Sequence, residues 1–138
     1  MFNSIAPTSL TFSVGTSSAI NESGKGSIAM LFASVAGISK CGFYDGSASP
    51  QTITTGFSPR FIIIKRITSG AGGDDWVVAD TLRGIGPGSN EDKILYLNLN
   101  SAESNQSLLD TTSTGFTVVA AYQEVNHQDH KYIYYAHA

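Results

Sequence analysis

The sequence has few charged residues and a single cysteine, and each shortage excludes a class of protein. Only 14% of the 138 residues are Asp, Glu, Lys or Arg, and the formal net charge is -3. The 8 Lys and Arg residues form no cluster that could neutralise several phosphates, so we do not expect a nucleic-acid partner. Cys41 has no second cysteine to pair with, which excludes an intrachain disulfide.

Long apolar runs and helical periodicity are also missing. The apolar run at residues 28–37 is too short to cross a bilayer and lies too deep in the chain for a signal peptide, so membrane insertion is not expected. In no window do apolar residues keep a 3.6-residue period for the length that a helix needs. The 14 glycines favour many turns. Together these features predict a nearly all-β protein.

What is present is a series of short apolar segments separated by turn residues. The clearest strand contains Ile62, Ile63 and Ile64, which follow one another without a polar residue and predict a central strand covered on both faces. We expect Ile63 and Trp76 to be core residues. Further strands are predicted at residues 10–15, 27–33, 40–44, 51–55, 76–80, 93–98, 115–122 and 131–138. Roughly eight to ten short strands at this spacing predict one antiparallel β-sandwich or jelly roll that spans residues 1–138.

The two ends of the chain resemble each other, which indicates an internal repeat. The predicted N-terminal hairpin, residues 1–34, resembles the predicted C-terminal hairpin, residues 115–138. Each opens on a Phe-Ser/Thr-Val strand, and later positions correspond at a spacing of 105 residues (126 − 21): Asn21 with Asn126, Ile28 with Ile133, and Ala33 with Ala138. Chance similarity between two short β hairpins is the open alternative.

Five segments occur in an order that is found in a known family. They are residues 56–66, residues 76–84, residues 95–98 with Ala102 and Glu103, residues 114–116, and Asn126 ahead of residues 132–136. As a set they resemble the β-sandwich domain of structural proteins of tailed phages, especially marine and cyanobacterial ones, where the domain often repeats in tandem. The resemblance implies a virion protein without catalytic activity. Residues 21–33 depart from the pattern, because they resemble the closing hairpin of a preceding repeat that is not present.

Candidate chemical sites are weak. His127, Asp129 and His130 carry donors for a transition metal, but they lie in a predicted hairpin loop where polar residues are ordinary. The spacing of the carboxylates matches no known calcium loop; these are Asp74, Asp75, Glu91, Asp92 and Asp110. No serine stands in a nucleophile elbow with a recognisable base. We therefore expect no enzymatic activity, no cofactor and no metal.

Structural roles are predicted for two other groups. Asp80 and Arg83 flank a turn and are close enough in sequence for a charge-assisted contact. Tyrosines fall on both faces of the last strand, so at least one ring should reach an outer surface, where it suits a contact with another subunit or a sugar. The predicted interface residues are Tyr132, Tyr134, Tyr135 and Phe12. The alternative is that these rings complete the core and its rim.

Three functions from different classes follow. The first is a structural protein of the virion surface, for which a capsid decoration protein is favoured because the sequence has no heptad stalk. Within this class the alternative is a tail-fibre or receptor-binding domain that recognises a host surface glycan. The second class is a carbohydrate-binding module that recognises a host glycan, and the third is an enzyme on a β scaffold. Unpaired strand edges in a surplus hairpin predict a homo-oligomer, with a trimer favoured and residues 1–34 near the contact. Other virion proteins are further expected partners.

Overall fold

Nine β-strands make up almost all the regular structure in the residues that the computed structural model describes, which are 5–68, 72–88, 91–119 and 121–138. The strands are β1 (Ser39–Asp45), β2 (Gln51–Thr54), β3 (Phe61–Arg66), β4 (Trp76–Asp80), β5 (Asp92–Tyr96), β6 (Ser104–Gln106), β7 (Leu109–Thr112), β8 (Gly115–Val118) and β9 (Lys131–His137). One short helix, α1 (Ser18–Asn21), precedes them. The chain divides into two compact units, Met1–Leu31 and Phe32–Ala138, and all nine strands belong to the second.

The strands form two antiparallel sheets that pack against each other as a sandwich. The larger sheet has six strands in the order β1-β9-β3-β4-β5-β6, and the smaller has three in the order β2-β8-β7. The prediction of an all-β sandwich is confirmed. Aromatic and β-branched residues on the inner face of each sheet supply the contact between the layers.

Strand β3 lies inside the larger sheet, between β9 and β4. Ile62 and Ile64 face the smaller sheet and are completely buried, while Ile63 points to the opposite face and is only 8% exposed. The prediction of a central strand covered on both faces is therefore confirmed. Removing a side chain of this kind from water stabilises the fold by about 1.5–3 kcal/mol.

Aromatic rings close the core between the two sheets. Phe116 of β8 meets Tyr134 of β9 edge to face at 5.4 Å, and Tyr44 of β1 stacks on Tyr132 at 5.1 Å. A Cβ atom at Gly42 would lie 2.6 Å from the ring of Tyr134. Any residue other than glycine at position 42 would therefore require this ring to move. Such contacts between rings add about 0.5–1.5 kcal/mol each to the burial of their apolar area.

The predicted C-terminal hairpin, residues 115–138, is wrong. Strand β8 belongs to the smaller sheet and β9 to the larger, so the two do not pair. The reason is that β8 has neighbours on both sides, β2 and β7, and leaves no edge for β9. The chain between β8 and β9 instead crosses from one layer to the other, and its residues 121–130, the crossing segment, place Val125 and Asn126 in the interior.

The predicted N-terminal hairpin, residues 1–34, is also wrong for the residues that the structure describes. Residues 5–34 contain α1 and no strand, although strands were expected at 10–15 and 27–33. Ile28, which lies in the predicted strand at residues 27–33, is 96% exposed, and Leu10 and Met30 are exposed as well. An extended apolar segment becomes a strand only where a neighbour accepts its backbone hydrogen bonds, and no such ladder exists within residues 5–34.

Candidate interaction surface

The face of the larger sheet that points away from the smaller sheet carries a row in which three exposed apolar side chains accompany one lysine. Strand register places Phe43 beside Ile133, Ile133 beside Lys65, and Lys65 beside Trp76, which are the four residues of what we call the outer row. Phe43 is 73% exposed, Trp76 is 38% exposed, and Ile133 is exposed too. Along an antiparallel strand, polar residues normally occupy the face that is exposed to solvent. The exposed apolar side chains of the outer row are therefore unusual for a solvated sheet face.

The next row along the same face is better covered. It runs from Cys41 through Tyr135 and Ile63 to Val78, according to the strand register. Ile63 and Val78 are almost completely buried, while Cys41 and Tyr135 are partly exposed. The exposed apolar area of the outer row therefore extends to this second row only at Cys41 and Tyr135.

Trp76 is on the outer face, and its prediction as a core residue is wrong. The reason is strand parity: Val77 and Ala79 face the smaller sheet, so Trp76 faces away from it. Its backbone is nevertheless held on both sides. The amide of Trp76 donates to the Asn98 side chain at 2.9 Å, and its carbonyl accepts from Leu97 at 3.1 Å. The ring is thus presented to solvent from a fixed position.

Strand β1 forms one edge of the larger sheet, and the chain itself covers only part of that edge. The Ser34 hydroxyl accepts a hydrogen bond from the Cys41 amide at 2.9 Å and donates to the Cys41 carbonyl at 3.4 Å. The amide of Cys41 thus points outward, and alternation along an antiparallel strand directs the backbone groups of Phe43 to the same side. The Phe32 ring lies 4.5 Å from that of Tyr135, on the outer face of the sheet.

Two of the four predicted interface residues lie in the core. Tyr132 and Tyr134 are buried, and burial raises the pKa of both phenols. The hydroxyl of Tyr132 donates to the Gln123 carbonyl at 2.8 Å, and that of Tyr44 donates to the Val125 carbonyl at 2.6 Å. Burial, followed by the nearby Tyr132, raises the pKa of Tyr44 well above its ordinary value. The hydroxyls of Tyr132 and Tyr44 anchor the crossing segment at Gln123 and Val125. Because Tyr132 and Tyr134 are buried, they offer no surface to a partner.

The other two predicted interface residues are accessible. Tyr135 lies on the outer face between the rings of Phe32 and Phe61 and is partly exposed. Phe12 is 41% exposed and lines an open apolar hollow in the first compact unit, together with Val14 and Ile28. Their role as interface residues remains a prediction.

Asn126 is the polar centre of the crossing segment, and the sequence did not single it out for this role. It is completely buried, and its side-chain amide donates to the Ser49 carbonyl at 2.8 Å. Its side-chain oxygen accepts from Gln51 at 2.6 Å and from the Ser47 amide at 3.1 Å. Both the nitrogen and the oxygen of the side-chain amide thus tie residues 47–51 to the crossing segment, as a buried polar group requires.

His127 and His130, which follow Asn126 in the chain, carry possible donors for a transition metal. The rings of His127 and His130 lie 4.8 Å apart, and His130 Nε2 is 3.3 Å from the guanidinium of Arg66. A guanidinium can only donate, so the bond to Arg66 occupies this nitrogen as an acceptor. Within the described ranges no group of three or more potential metal ligands occurs.

Asp92 is one of the carboxylates whose spacing matches no calcium loop, and its side chain has a structural role instead. It is completely buried, and one of its carboxylate oxygens accepts the backbone amides of Leu108 at 2.9 Å and Leu109 at 2.8 Å. These two residues follow β6, at the point where the chain passes from the larger to the smaller sheet. Asp92 therefore fixes that crossing.

The predicted contact between Asp80 and Arg83 is present. Their side chains form an ion pair, and the amide of Arg83 also donates to the Asp80 carboxylate at 2.9 Å. Both bonds stabilise the turn that follows β4.

Comparisons with known proteins identify a family but no characterised relative. The family model described as "Domain of unknown function (DUF7483)" matches residues 1–138. Comparison with curated proteins and with solved structures finds no match. In the part of the chain that the structure describes, no helix is long and apolar enough to cross a membrane.

Proposed function

The chain belongs to the DUF7483 family, and we propose that it is a non-enzymatic structural protein of the phage virion surface, acting as a capsid decoration protein. The observation that carries the proposal is the amount of apolar surface left uncovered. The outer row includes Phe43 and Trp76, and residues 5–31 expose Leu10, Ile28 and Met30. Large exposed apolar patches on a folded protein mark sites where it contacts other proteins.

The resemblance to phage structural proteins supplies the setting for that contact. In the proposal, the sandwich is the rigid body and its uncovered surfaces bind other copies and the capsid lattice. A homo-oligomer, favoured as a trimer, has residues 1–34 at or near its subunit contact. Apolar area moved from water into such a contact stabilises it by about 25 cal/mol for each Å².

Immunogold electron microscopy tests the location. Antibodies raised against the purified protein are applied to particles of the phage that carries the gene. Gold distributed over the head supports a decoration protein, while gold at the fibres supports the tail assignment. Particles that carry no label above the background of a pre-immune serum contradict both.

One observation favours the second candidate, a tail-fibre or receptor-binding domain that recognises a host glycan. Trp76 presents its ring to solvent beside Asp75 and Asn98, whose side chains bond each other at 2.7 Å. Aromatic rings with an apolar body and neighbouring polar groups are suited to sugars.

A glycan array read with the purified protein separates the two candidates. The receptor-binding function predicts selective binding of a host glycan that is lost in Trp76→Ala and retained in Leu82→Ala, a matched change at an exposed residue outside the outer row. Decoration predicts no selective binding by any of the three proteins.

A further inference from the structure

We propose that residues 27–31 of one copy of the chain bind a second copy along the β1 edge at Phe43 and across its outer row. This inference rests on the homo-oligomer of the proposed function and names the two surfaces that meet. The occupant is thus a short extended segment of the same protein, and the acceptor is a strand edge together with the apolar face beside it.

The acceptor is the part of the β1 edge whose backbone groups the described residues of the same chain leave without a hydrogen-bond partner. The pairing of Val35 with Ser39 and the contacts of Ser34 with Cys41 cover the first half of this edge. The backbone groups of Phe43, two residues further, point to the same side, and none of the described contacts reaches them there. An outer strand with outward-pointing amides and carbonyls is a site for adding a strand.

Residues 32–34 of the same chain are held away from that part of the edge. The Phe32 ring rests on Tyr135, on the outer face of the sheet, and the Ser34 side chain rather than its backbone occupies the Cys41 amide. The hairpin that could have continued along β1 is therefore replaced by side-chain contacts. Covering the edge at Phe43 requires another segment.

The donor has the chemistry that this acceptor requires. Residues 27–31 read Ser-Ile-Ala-Met-Leu, with no charge to desolvate and no proline to interrupt a ladder. Ile28 is 96% exposed, and Met30 and Leu31 are exposed as well, so their side chains are available to a partner. In an extended segment they would alternate, with Ile28 and Met30 on one face and Leu31 on the other.

A second copy is the partner that offers both surfaces at once. In the described residues each chain has the exposed donor 27–31 in its first compact unit and the acceptor at Phe43 in its second. A contact between unlike surfaces of identical chains generates a closed ring when the rotation permits, and a ring leaves neither surface uncovered. The donor side chains and three of the four residues of the outer row are apolar, so both sides lose unfavourable contact with water in the same step.

Photocrosslinking between isotopically distinct copies tests the inference directly. An isotopically heavy full-length chain carrying Phe43→p-benzoylphenylalanine is mixed in urea with the light natural chain, refolded, irradiated and digested with trypsin. Cleavage after Lys25 and Lys40 releases the donor as one peptide, residues 26–40. We expect a link from the heavy peptide containing position 43 to the light peptide 26–40. The control, Leu82→p-benzoylphenylalanine at another exposed position, should not form it.

Two other results overturn the inference. Links confined to heavy peptides would place the segment on its own chain, and links to a different light peptide would place the contact elsewhere. A matched pair for sedimentation, Phe43→Asp and Leu82→Asp, supplies a second readout. Phe43→Asp should weaken association roughly tenfold to a hundredfold, while Leu82→Asp should leave it unchanged.

Different measurements would refute the contact named here, the homo-oligomer and the virion function. An oligomer that sediments normally but gives no link between position 43 and peptide 26–40 refutes the surfaces named here and leaves the oligomer intact. A chain that sediments as a monomer refutes both the oligomer and this contact. Absence of the protein from virions, seen by immunogold labelling, refutes the virion function alone.

Discussion

Residues 5–31 and residues 32–138 use similar apolar patterns with opposite results. Phe12 and Val14 correspond in sequence to Phe116 and Val118, yet both members of the second pair are fully buried while Phe12 is 41% exposed. The difference lies in the neighbours. Strand β8 has a partner on each side, whereas the region around Phe12 contains no paired strand. A β pattern thus specifies a strand only when another strand is available to complete it.

The largest expected effect comes from the most direct pair in this comparison. Phe116→Ala should lower the free energy of unfolding by about 3–5 kcal/mol, because it removes a ring packed between the sheets and leaves a cavity. Phe12→Ala should change it by less than about 0.5 kcal/mol. Urea denaturation of both variants measures the difference. Equal losses would show that residues 5–31 have a core of their own.

A second pair compares a covered and an exposed side chain on the outer face of the larger sheet. Ile63→Ala should destabilise the protein by roughly 2–5 kcal/mol, because this side chain is nearly buried within the central strand. Trp76→Ala should cost less than Ile63→Ala, since much of its ring is already in water. Lys93→Ala, on an exposed part of β5, is the control and should barely register in the same melts. A neutral Ile63→Ala would contradict the two-sided burial of β3.

The corresponding asparagines give a third pair. Asn126→Ala should cost about 1–3 kcal/mol, because it removes a completely buried amide whose hydrogen bonds hold Ser49 and Gln51. Asn21→Ala removes one exposed bond to the Gly15 carbonyl and should fall within about 0.5 kcal/mol of the natural protein. Chemical denaturation of the two single variants provides the measurement. A large loss for Asn21→Ala would indicate a second buried polar centre.

The smallest expected effect is confined to alkaline pH. Burial raises the pKa of Tyr44 above the ordinary value of 10.0, so above about pH 10 the unfolded chain loses this proton while the folded chain keeps it. Stability should therefore be unaffected by this group below that pH and should fall as the pH rises beyond it. Urea melts between pH 8 and 11 measure the slope. The slope should be smaller in Tyr44→Phe, and an identical slope would show that Tyr44 makes no contribution.

Local signals explain what the sequence predicted correctly. Three consecutive isoleucines indicated the central strand, and the spacing of Asp80 and Arg83 indicated their ion pair, because both features depend on neighbours in sequence. Most strand positions in residues 32–138 follow from the same kind of signal. The all-β class follows from many such segments with turn residues between them.

Features that depend on the arrangement of distant strands were missed. Strands β6 and β7 are short, with sequences Ser-Asn-Gln and Leu-Asp-Thr-Thr that carry little strand signal. The assignment of β8 and β9 to different sheets depends on which edges are already occupied. The outward position of Trp76 depends on the parity of β4, which an almost continuous apolar run does not reveal.

The candidate surface was predictable only in part. Aromatic content in the last strand indicated a surface role for at least one ring, and Tyr135 does reach the outer face. Phe43 and Ile133 could not be recognised, because alternation gives two faces without saying which of them faces the smaller sheet. The three-dimensional register is what places them in one row with Trp76.

Sedimentation equilibrium of the full-length chain, compared with a shortened chain that begins at Phe32, tests the central claim most directly. The claim is that the uncovered apolar residues of the first unit make the subunit contact. The account predicts an oligomer, favoured as a trimer, for the full-length chain and a folded monomer for the shortened one. A full-length monomer, or an oligomer of the same size and affinity after shortening, would contradict it.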